Sequence, residues 1–210
     1  MASAVAKVTK VLPGRSVFFV CDIQTRFRNA IFGFPEMVAT ASKMLKCAQI
    51  LQVPVIFTEQ NPKALGPTVP ELPAEPLGPL HLGTVEKTLF SMATPEVISI
   101  LKERDLKSVI LFGIESHVCV LQSTLDLLEL GYDVHIVADG VASCNKEEVP
   151  IALARMRQAG AQITTSESVL FQLQRDSSTP GFKAFSKAIK EEKDATQQSI
   201  STLLSMRSFL

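Results

Sequence analysis

The order of strand-like and helix-like segments limits the folds open to this chain more than any other feature. Six short runs rich in β-branched and aromatic residues alternate with segments whose apolar residues recur at helical spacing. This alternation is typical of a parallel sheet that helices cover. The predicted strands are 16–22, 54–58, 84–87, 108–114, 133–139 and 162–165. We therefore predict an α/β fold with an open six-stranded parallel sheet, helices on both faces and the strand order 3-2-1-4-5-6.

Signals for helix ends lie between the predicted strands. Residues 35–51 carry an apolar stripe at helical spacing, with a proline suited to the first helical turn. Thr94 precedes a proline and an acid, which is the composition of a helix start. Gly131 and Gly160 stand where two later helices need a left-handed residue to end. These signals predict the helices that a parallel sheet requires.

The charge balance and the hydropathy exclude several classes of partner. The chain carries 21 basic and 21 acidic side chains, so its formal net charge is zero, which argues against a polyanion as the main partner. Its longest apolar stretches, 17–21 and 109–112, are far shorter than the ~18 residues of a membrane span. We therefore predict a small-molecule substrate, and neither nucleic acid nor a membrane as a partner.

Cysteine spacing and the first residues bear on the compartment. Four cysteines without C-x-x-C spacing indicate free thiols in a reducing compartment, rather than a disulfide framework or a zinc cluster. Lys7, Lys10 and Arg15 precede the first acid, Asp22, which is faintly similar to a transit peptide, but this segment has no apolar core. We predict a cytoplasmic location, with mitochondrial association as the alternative.

Two segments differ from the rest in composition. Prolines recur at every third residue at positions 67, 70, 73, 76 and 79. They predict either a polyproline ligand for an SH3 or WW domain or, as we favour, a stiff loop over the body of the domain. After Lys190 the composition becomes polar, and this tail is predicted to be disordered or to be a helix that docks on a neighbour. We assign 1–190 to one domain and 191–210 to a C-terminal tail.

The tail also predicts self-association. Apolar side chains exposed to water forgo a hydrophobic free energy of ~25 cal/mol for each Å² of surface that they could bury. Apolar residues in a polar tail therefore favour an interface. The stiff proline loop loses little entropy on contact and suits the same role. We therefore predict a homo-oligomer of closed symmetry. The apolar tail residues are Leu203, Leu204, Met206, Phe209 and Leu210.

Ionisable residues stand at or just after the ends of three predicted strands. The chain has no G-x-G-x-x-G, P-loop, G-x-S-x-G or H-E-x-x-H motif, so the search for a site depends on position. Open α/β sheets bind ligands at the carboxyl ends of their strands, where the strand order reverses. Asp22 closes the first strand, Lys87 closes the third, and Cys119 follows the fourth at a helix start. If strands one and four are neighbours, Asp22 and Cys119 meet.

Each of these three residues has a catalytic and a structural interpretation. Unpaired amides and the helix dipole stabilise a thiolate in a first helical turn, and the same amides can hold an oxyanion. Taken alone, however, Cys119 reads as a small buried side chain, Asp22 as a strand-end cap and Lys87 as a surface lysine. His117 suits a pocket wall rather than the base. We keep the structural interpretation for Cys21, Cys47, Cys144 and His135.

Three ordered motifs together resemble the isochorismatase-like cysteine hydrolase family, in the branch of isochorismatase domain-containing proteins. They are FVCDIQ at 19–24 for the family's D-x-Q, KTLFSM at 87–92 for its K-T-x-F-S-M, and GIESHVCV at 113–120 for its nucleophile turn. The resemblance spans about residues 11–190. One departure is mild: Ser123 stands four residues after Cys119, where the family usually has threonine, and it keeps the hydroxyl.

The resemblance implies a catalytic triad of Asp22, Lys87 and Cys119. Asp22 takes the thiol proton, the thiolate attacks a carbonyl carbon, a leaving amine departs protonated, and water hydrolyses the covalent acyl-enzyme. True isochorismatases lack the cysteine, so Cys119 favours the amidohydrolase side of the family. The resemblance also implies a cis peptide bond between Ile114 and Glu115.

No metal and no cofactor are expected, since nicotinamidases hold their metal with a D-x-H motif after the second strand and the chain has TEQ at 58–60. The leading function is thus a cysteine hydrolase of a small amide-like or related carbonyl compound. The alternative is a catalytically idle binding or scaffold protein on the same fold. Five further residues are assigned to the oxyanion or substrate pocket: Glu115, Gln24, Phe27, Phe90 and His117.

Overall fold

The protein, in a computed structural model that describes residues 8–204, is built on one six-stranded parallel sheet. The strand order is β3-β2-β1-β4-β5-β6, so the predicted fold class and strand order are confirmed. The strands are β1 (Ser16–Cys21), β2 (Val55–Gln60), β3 (His81–Lys87), β4 (Ser108–Gly113), β5 (Asp133–Val141) and β6 (Gln162–Thr164).

Burial of the central strands reflects the helices on both sides of the sheet. Every residue of β1 and β4 is buried. Successive side chains of a strand point to opposite faces, so Phe18 and Val20 enter one core cluster while Phe19 and Cys21 enter the other. Continuous apolar runs are therefore stable here, as in other parallel sheets.

The helices divide between the two faces. They are α1 (Phe34–Leu51), the short α2 (Pro62–Leu65), α3 (Pro95–Glu103), α4 (Leu121–Glu129), α5 (Glu148–Ala159), α6 (Ser166–Gln174), α7 (Phe182–Glu191) and α8 (Lys193–Leu204). Buried residues of α1, α6, α7 and α8 belong to the first cluster, and those of α3, α4 and α5 to the second. The predicted helix signals hold: the Thr94 hydroxyl accepts from the Val97 amide at 3.3 Å, and Gly131 and Gly160 have φ of 83° and 113°.

The proline-rich connection between β2 and β3 lies over the body of the domain. It contains α2 and a 3₁₀ segment, Glu75–Leu80, instead of a long crossover helix. Val69, Leu72 and Leu77 are buried in the first core cluster and anchor the loop. A cavity of about 370 Å³ lies between this loop and the strands, lined by residues that include Phe57 and Glu59. The structure thus has the arrangement that we favoured for this segment.

The segment after Lys190 contains a helix that packs on its own chain. In α8, the Thr196 hydroxyl accepts a 2.7 Å hydrogen bond from Lys43 of α1, and the Ser199 hydroxyl donates to the Glu36 carbonyl at 2.9 Å. Leu203 is buried in the first core cluster. The division of the chain after Lys190 stays a prediction. Several residues discussed above lie outside the described residues: Lys7, Met206, Phe209 and Leu210.

Two further observations concern the cysteines and the helices. All four cysteines are free thiols, as the spacing predicted. Among residues 8–204, no helix has both the length and the apolar character that a bilayer crossing needs.

Candidate active site

The carboxyl ends of four neighbouring strands meet at one edge of the sheet. Cys21, the last residue of β1, lies opposite Thr58 of β2 and Gly113 of β4. Gln60 of β2 lies opposite Lys87 of β3. Because the strands are parallel and in register, the residues that end them share one crevice. This edge brings together Asp22 and Lys87, as the sequence predicted.

Asp22 occupies a left-handed backbone conformation directly after β1. Its φ is 51°, a region that non-glycine residues rarely adopt and that Asp tolerates better than most. The residue is 1% exposed, and both carboxylate oxygens are engaged. Oδ1 accepts from the Thr58 hydroxyl at 2.7 Å, and Oδ2 accepts from the Lys87 ammonium at 2.7 Å. The carboxylate is therefore fixed in orientation and charge-paired.

The Lys87 ammonium has four oxygen acceptors around it. Besides Asp22, it donates to Gln60 Oε1 at 2.8 Å and to the carbonyls of Leu89 and Phe90 at 3.1 and 3.0 Å. Burial alone would lower the pKa of Lys87, but electrostatic interactions with the ionisable groups of Cys21, Asp22 and Cys119, together with the hydrogen bond to Asp22, raise it above its ordinary value. Lys87 is therefore a permanent cation at neutral pH.

Close contact between β1 and β4 depends on Gly113. Its φ is 124°, and a Cβ at this position would overlap the Cys21 carbonyl oxygen and lie 2.8 Å from the Cys21 nitrogen. Only glycine lets the two backbones approach so closely at the point where Asp22 begins. In the sequence this glycine is the second-last residue of the predicted fourth strand, 108–114, and in the structure it ends β4.

The turn after β4 carries Cys119. The peptide bond between Ile114 and Glu115 is cis, which confirms the expectation from the resemblance. A single π-helical turn, Ser116–Val120, follows and runs directly into α4. Cys119 is 7% exposed, and its carbonyl accepts a 2.6 Å hydrogen bond from the Ser123 hydroxyl. Ser123 therefore has a visible structural role, since it also accepts from the Met92 amide at 2.7 Å.

Cys21 lies among the three predicted catalytic residues, which the sequence interpretation did not foresee. Its pKa is raised well above the ordinary thiol value, first by burial, then by a hydrogen bond with the Cys119 thiol and by the charge of Asp22. Its thiol also donates to the Ile114 carbonyl at 3.3 Å. The side chain is therefore a protonated neighbour that links Cys119 to the buried ion pair.

The residues assigned to a pocket fall into different environments. Gln24 is fully buried, and its amide is engaged: Oε1 accepts from the Gln60 backbone amide at 2.8 Å, and Nε2 donates to the carbonyls of Gln60 and Gly66. Phe27 packs partly against the first core cluster, whereas Phe90 is 51% exposed. A substrate contact by Gln24, Phe27 or Phe90 stays a prediction.

Glu115 and His117 lie together on the nucleophile turn, both half-buried. A Glu115 carboxylate oxygen accepts from the Cys144 backbone amide at 2.8 Å. His117 Nδ1 lies 3.0 Å from the Ser143 hydroxyl. Both side chains therefore face the segment that follows β5, and their part in a substrate pocket stays a prediction.

Thr58 and Gln60 are the site residues that the sequence interpretation missed. Each hydrogen-bonds one member of the Asp22–Lys87 pair, so they fix the relative position of the two charges. The available signal was the polar end of an otherwise apolar strand, TEQ at 58–60.

Comparisons with known proteins give the family of this chain. The sequence profile of the isochorismatase domain matches residues 16–168. Isochorismatase domain-containing protein 2 of Homo sapiens is 48% identical over 191 residues, covering 91% of this chain and 91% of that protein. The chain belongs to the isochorismatase domain family.

Solved structures show the isochorismatase fold in the same way. A structure described as MAR1 ribonuclease from Caenorhabditis elegans is 44% identical, has a TM-score of 0.80, and covers 86% of this chain and 92% of its own. The YcaC gene product of Escherichia coli, described as an octameric hydrolase of unknown specificity, is 21% identical with a TM-score of 0.74, covering 97% and 95%. This second likeness shows the fold alone. Membership of the isochorismatase-like hydrolases therefore favours an enzyme.

Proposed function

We propose that the protein is a cysteine hydrolase of a small amide-like or related carbonyl compound, with Asp22, Lys87 and Cys119 as its catalytic residues. The observation that carries this proposal is the Asp22–Lys87 ion pair, 2.7 Å long, whose side chains are 2% and 1% exposed. Removing two charges from water costs several kcal/mol per ion, only partly recovered by their attraction. A buried pair beside a thiol is a costly arrangement that nucleophilic chemistry explains.

The proposed reaction has two half-reactions, acylation of Cys119 and hydrolysis of the resulting thioester. The Asp22 carboxylate accepts the thiol proton of Cys119, and the thiolate adds to the substrate carbonyl carbon. The tetrahedral intermediate collapses as Asp22 returns the proton to the leaving amine, which leaves a thioester on Cys119. Asp22 then takes a proton from water, which attacks the thioester carbon; the C–S bond breaks, the acid leaves, and the proton returns from Asp22 to the Cys119 thiolate. Throughout, the Lys87 ammonium stabilises the negative charge that moves between carboxylate and sulfur.

Backbone amides of the nucleophile turn are candidates for holding the oxyanion. The amides of Val118 and Val120 donate to the Glu115 carbonyl, and that of Ser116 donates to the Ala142 carbonyl. These three amides already have carbonyl acceptors. We therefore assign the oxyanion donor to the Cys119 amide, which stands next to the reacting sulfur.

Selective alkylation tests the nucleophile. The other three cysteines have raised thiol pKa values: Cys21 through burial, Cys47 to about 11 through burial, and Cys144 through a hydrogen bond with Glu115. We expect limiting iodoacetamide at neutral pH to label Cys119 first, read by peptide mass spectrometry. Cys144 is the matched control, because it is exposed. Preferential labelling of Cys144 would reject the proposal.

Hydrolysis of a panel of small amides and esters, compared between wild type and Cys119→Ser, separates enzyme from scaffold. The proposed hydrolase turns over at least one compound and traps an acyl group on Cys119, and the serine variant does neither. If the panel yields neither turnover nor an acyl adduct while binding persists, the idle scaffold is the better description.

A ribonuclease is the second candidate, favoured by the name of the C. elegans relative. Against it stand the zero net charge, the single tyrosine and the absence of tryptophan, which provide neither a basic track nor stacking platforms for RNA. Incubating a labelled single-stranded RNA with wild type and Cys119→Ser decides between them. Cleavage that needs Cys119 would replace the amide proposal.

We further propose that the chain forms a homo-oligomer, as the YcaC relative does by its description. Leu89 and Phe90, whose carbonyls hold Lys87, have side chains 57% and 51% exposed and are available for an interface. Light scattering at micromolar concentration tests this, on the full chain and on a chain ending at Leu204, which keeps α8. A monomeric full chain rejects the oligomer, and an unchanged mass of the shorter chain excludes residues 205–210 from the interface.

A further inference from the structure

Three different metal-ligand side chains converge beside the nucleophile turn. Glu115, His117 and Cys144 each place one ligand atom within 4.8 Å of the other two. In a tetrahedral zinc site with bonds of ~2.0 to 2.3 Å, ligand atoms lie ~3.3 to 3.8 Å apart. The three ligand atoms therefore lie at most about 1 to 1.5 Å farther apart than a tetrahedral zinc site requires.

The backbone under this cluster is fixed, so the three residues stay in place without a metal. The Ser116 amide and hydroxyl both donate to the Ala142 carbonyl, at 2.9 and 3.0 Å. The Cys144 amide donates to the Glu115 carboxylate, and His117 Nδ1 lies beside the Ser143 hydroxyl. These contacts join the turn after β4 to the segment after β5. A site built on two such segments loses little conformational entropy when it binds an ion.

The donor set selects the class of ion. Thiolate and imidazole are ligands for Zn²⁺ and similar thiophilic cations, whereas Mg²⁺ and Ca²⁺ require oxygen ligands. One carboxylate, one imidazole and one thiolate make three protein ligands, which leaves a fourth position for water or substrate. His117 also has a polar neighbour that orients its ring, the Ser143 hydroxyl, where metal-bound histidines usually have a carboxylate, a carbonyl or a water.

We propose that Glu115, His117 and Cys144 bind one Zn²⁺ ion at the rim of the active site. The sequence analysis expected no metal, because the segment after β2 lacks the D-x-H motif, so this proposal departs from that expectation at a different place in the fold. The ion would sit on the turn that carries Cys119, two residues beyond His117, while Cys119 itself stays free as the nucleophile.

Zinc binding to the full chain tests the site. Protein stripped with a chelator is titrated with Zn²⁺ by calorimetry, and with Co²⁺ to detect the thiolate-to-cobalt charge-transfer absorption. We expect one ion per chain and the charge-transfer band, with no competition from Mg²⁺. Cys144→Ser abolishes the band, and both Cys144→Ser and His117→Ala weaken Zn²⁺ binding by at least about 100-fold, since even second-shell changes cost ~10-fold to 100-fold.

Matched variants separate this site from the catalytic thiols. Cys119→Ser and His81→Ala, the latter a histidine bonded to Thr84 at 3.0 Å, both keep wild-type zinc affinity under the proposal. Circular dichroism and melting temperature show that each variant is folded. The proposal is overturned if the wild type binds no zinc at micromolar concentration, or if Cys119→Ser loses the ion while Cys144→Ser keeps it.

Discussion

Two lysines of this protein are both buried, but their pKa values are shifted in opposite directions. Lys87 at the end of β3 is 5% exposed, and Lys43 in the middle of α1 is 1% exposed. Lys87 faces the Asp22 carboxylate, and its pKa is raised by the surrounding negative charges despite burial. Lys43 donates to the Thr196 hydroxyl, and burial lowers its pKa because the acids around it do not compensate.

The difference shows that burial alone does not mark a functional charge. A lysine with a carboxylate partner, such as Lys87, stays an ion at neutral pH, and its electrostatic field is available to chemistry. A lysine with only a hydroxyl partner is a packing element that joins α8 to α1. The two residues can therefore be separated by experiment.

Lys87→Met should have the largest effect. It leaves the Asp22 carboxylate buried without its cation, so we expect a loss of about 3 to 5 kcal/mol of stability. Hydrolysis should fall by at least about 100-fold, and alkylation of Cys119 should slow, because the cation that stabilises the thiolate is gone. Denaturant unfolding and the iodoacetamide rate measure the two effects.

If Lys87→Met folds poorly, a double variant still tests the role of the ion pair. Asp22→Asn with Lys87→Met removes both charges, so it should recover most of the lost stability while activity stays absent. Equal activity in Lys43→Met and Lys87→Met would break the comparison between the two lysines.

Gly113→Ala should have the next largest effect, through the backbone that positions Asp22. The added methyl group overlaps the Cys21 backbone, so β1 and β4 must separate at the site, and we expect a cost of at least about 3 kcal/mol together with loss of hydrolysis. Gly131→Ala is the control: φ is 83°, but no atom lies within 4 Å of its Cβ. It should cost only about 1 kcal/mol and keep full activity. Thermal melting and turnover distinguish the two glycines.

Replacing Lys43 and Thr196 together should change stability much less. Lys43→Met with Thr196→Val removes a buried ammonium and its hydroxyl partner while keeping similar shapes, so we expect a neutral effect or a gain of about 1 kcal/mol. Activity should be unchanged, since neither residue contacts the site. A loss above about 3 kcal/mol, measured by urea unfolding, would show that Lys43 is more than a packing element.

The smallest effect is a difference in pH dependence. The pKa of Lys43 in the folded protein is below the ~10.4 of a lysine in the unfolded chain. At pH values between these two pKa values the unfolded chain binds more protons, so the free energy of unfolding rises with pH in that range. Lys87 has a raised folded pKa, so its contribution is complete below ~10.4 and is lost as pH rises through the folded value. Subtracting the unfolding free energy of Lys43→Met from that of wild type, measured from pH ~8 to ~10.4, should give a rising line. A flat or falling line contradicts the assignment.

The sequence predicted the sheet well because hydrophobic period and turn residues are local signals. The six strands lie at the predicted places, but β3 begins at His81 instead of residue 84, and β2 runs to Gln60 instead of residue 58. His81 to Gly83 are half-buried residues of an edge strand, and Glu59 and Gln60 are polar. Neither the start of β3 nor the end of β2 therefore carries an apolar run that would indicate a strand.

The site was predicted in its charged members and missed in its supporting ones. Asp22 and Lys87 stand at strand ends, where position alone indicates function, and the structure pairs them. Gln60 contacts Lys87 because β2 and β3 are in register, and Cys21 faces Cys119 because β1 and β4 are neighbours. Register and side-chain packing across strands depend on residues far apart in the chain, so no local pattern contains them.

The loop between β2 and β3 has a consequence for how this protein family can diversify. Parallel neighbours are usually joined through a helix, whose length is tied to the strands that it covers. Here residues 61–80 are anchored instead by three separate side chains that are buried in the core, Val69, Leu72 and Leu77. The loop segments between these anchoring residues can lengthen or shorten at low entropic cost while β2 and β3 keep their alignment. The same pair of strands can thus acquire new neighbouring walls through changes in the loop without being rebuilt.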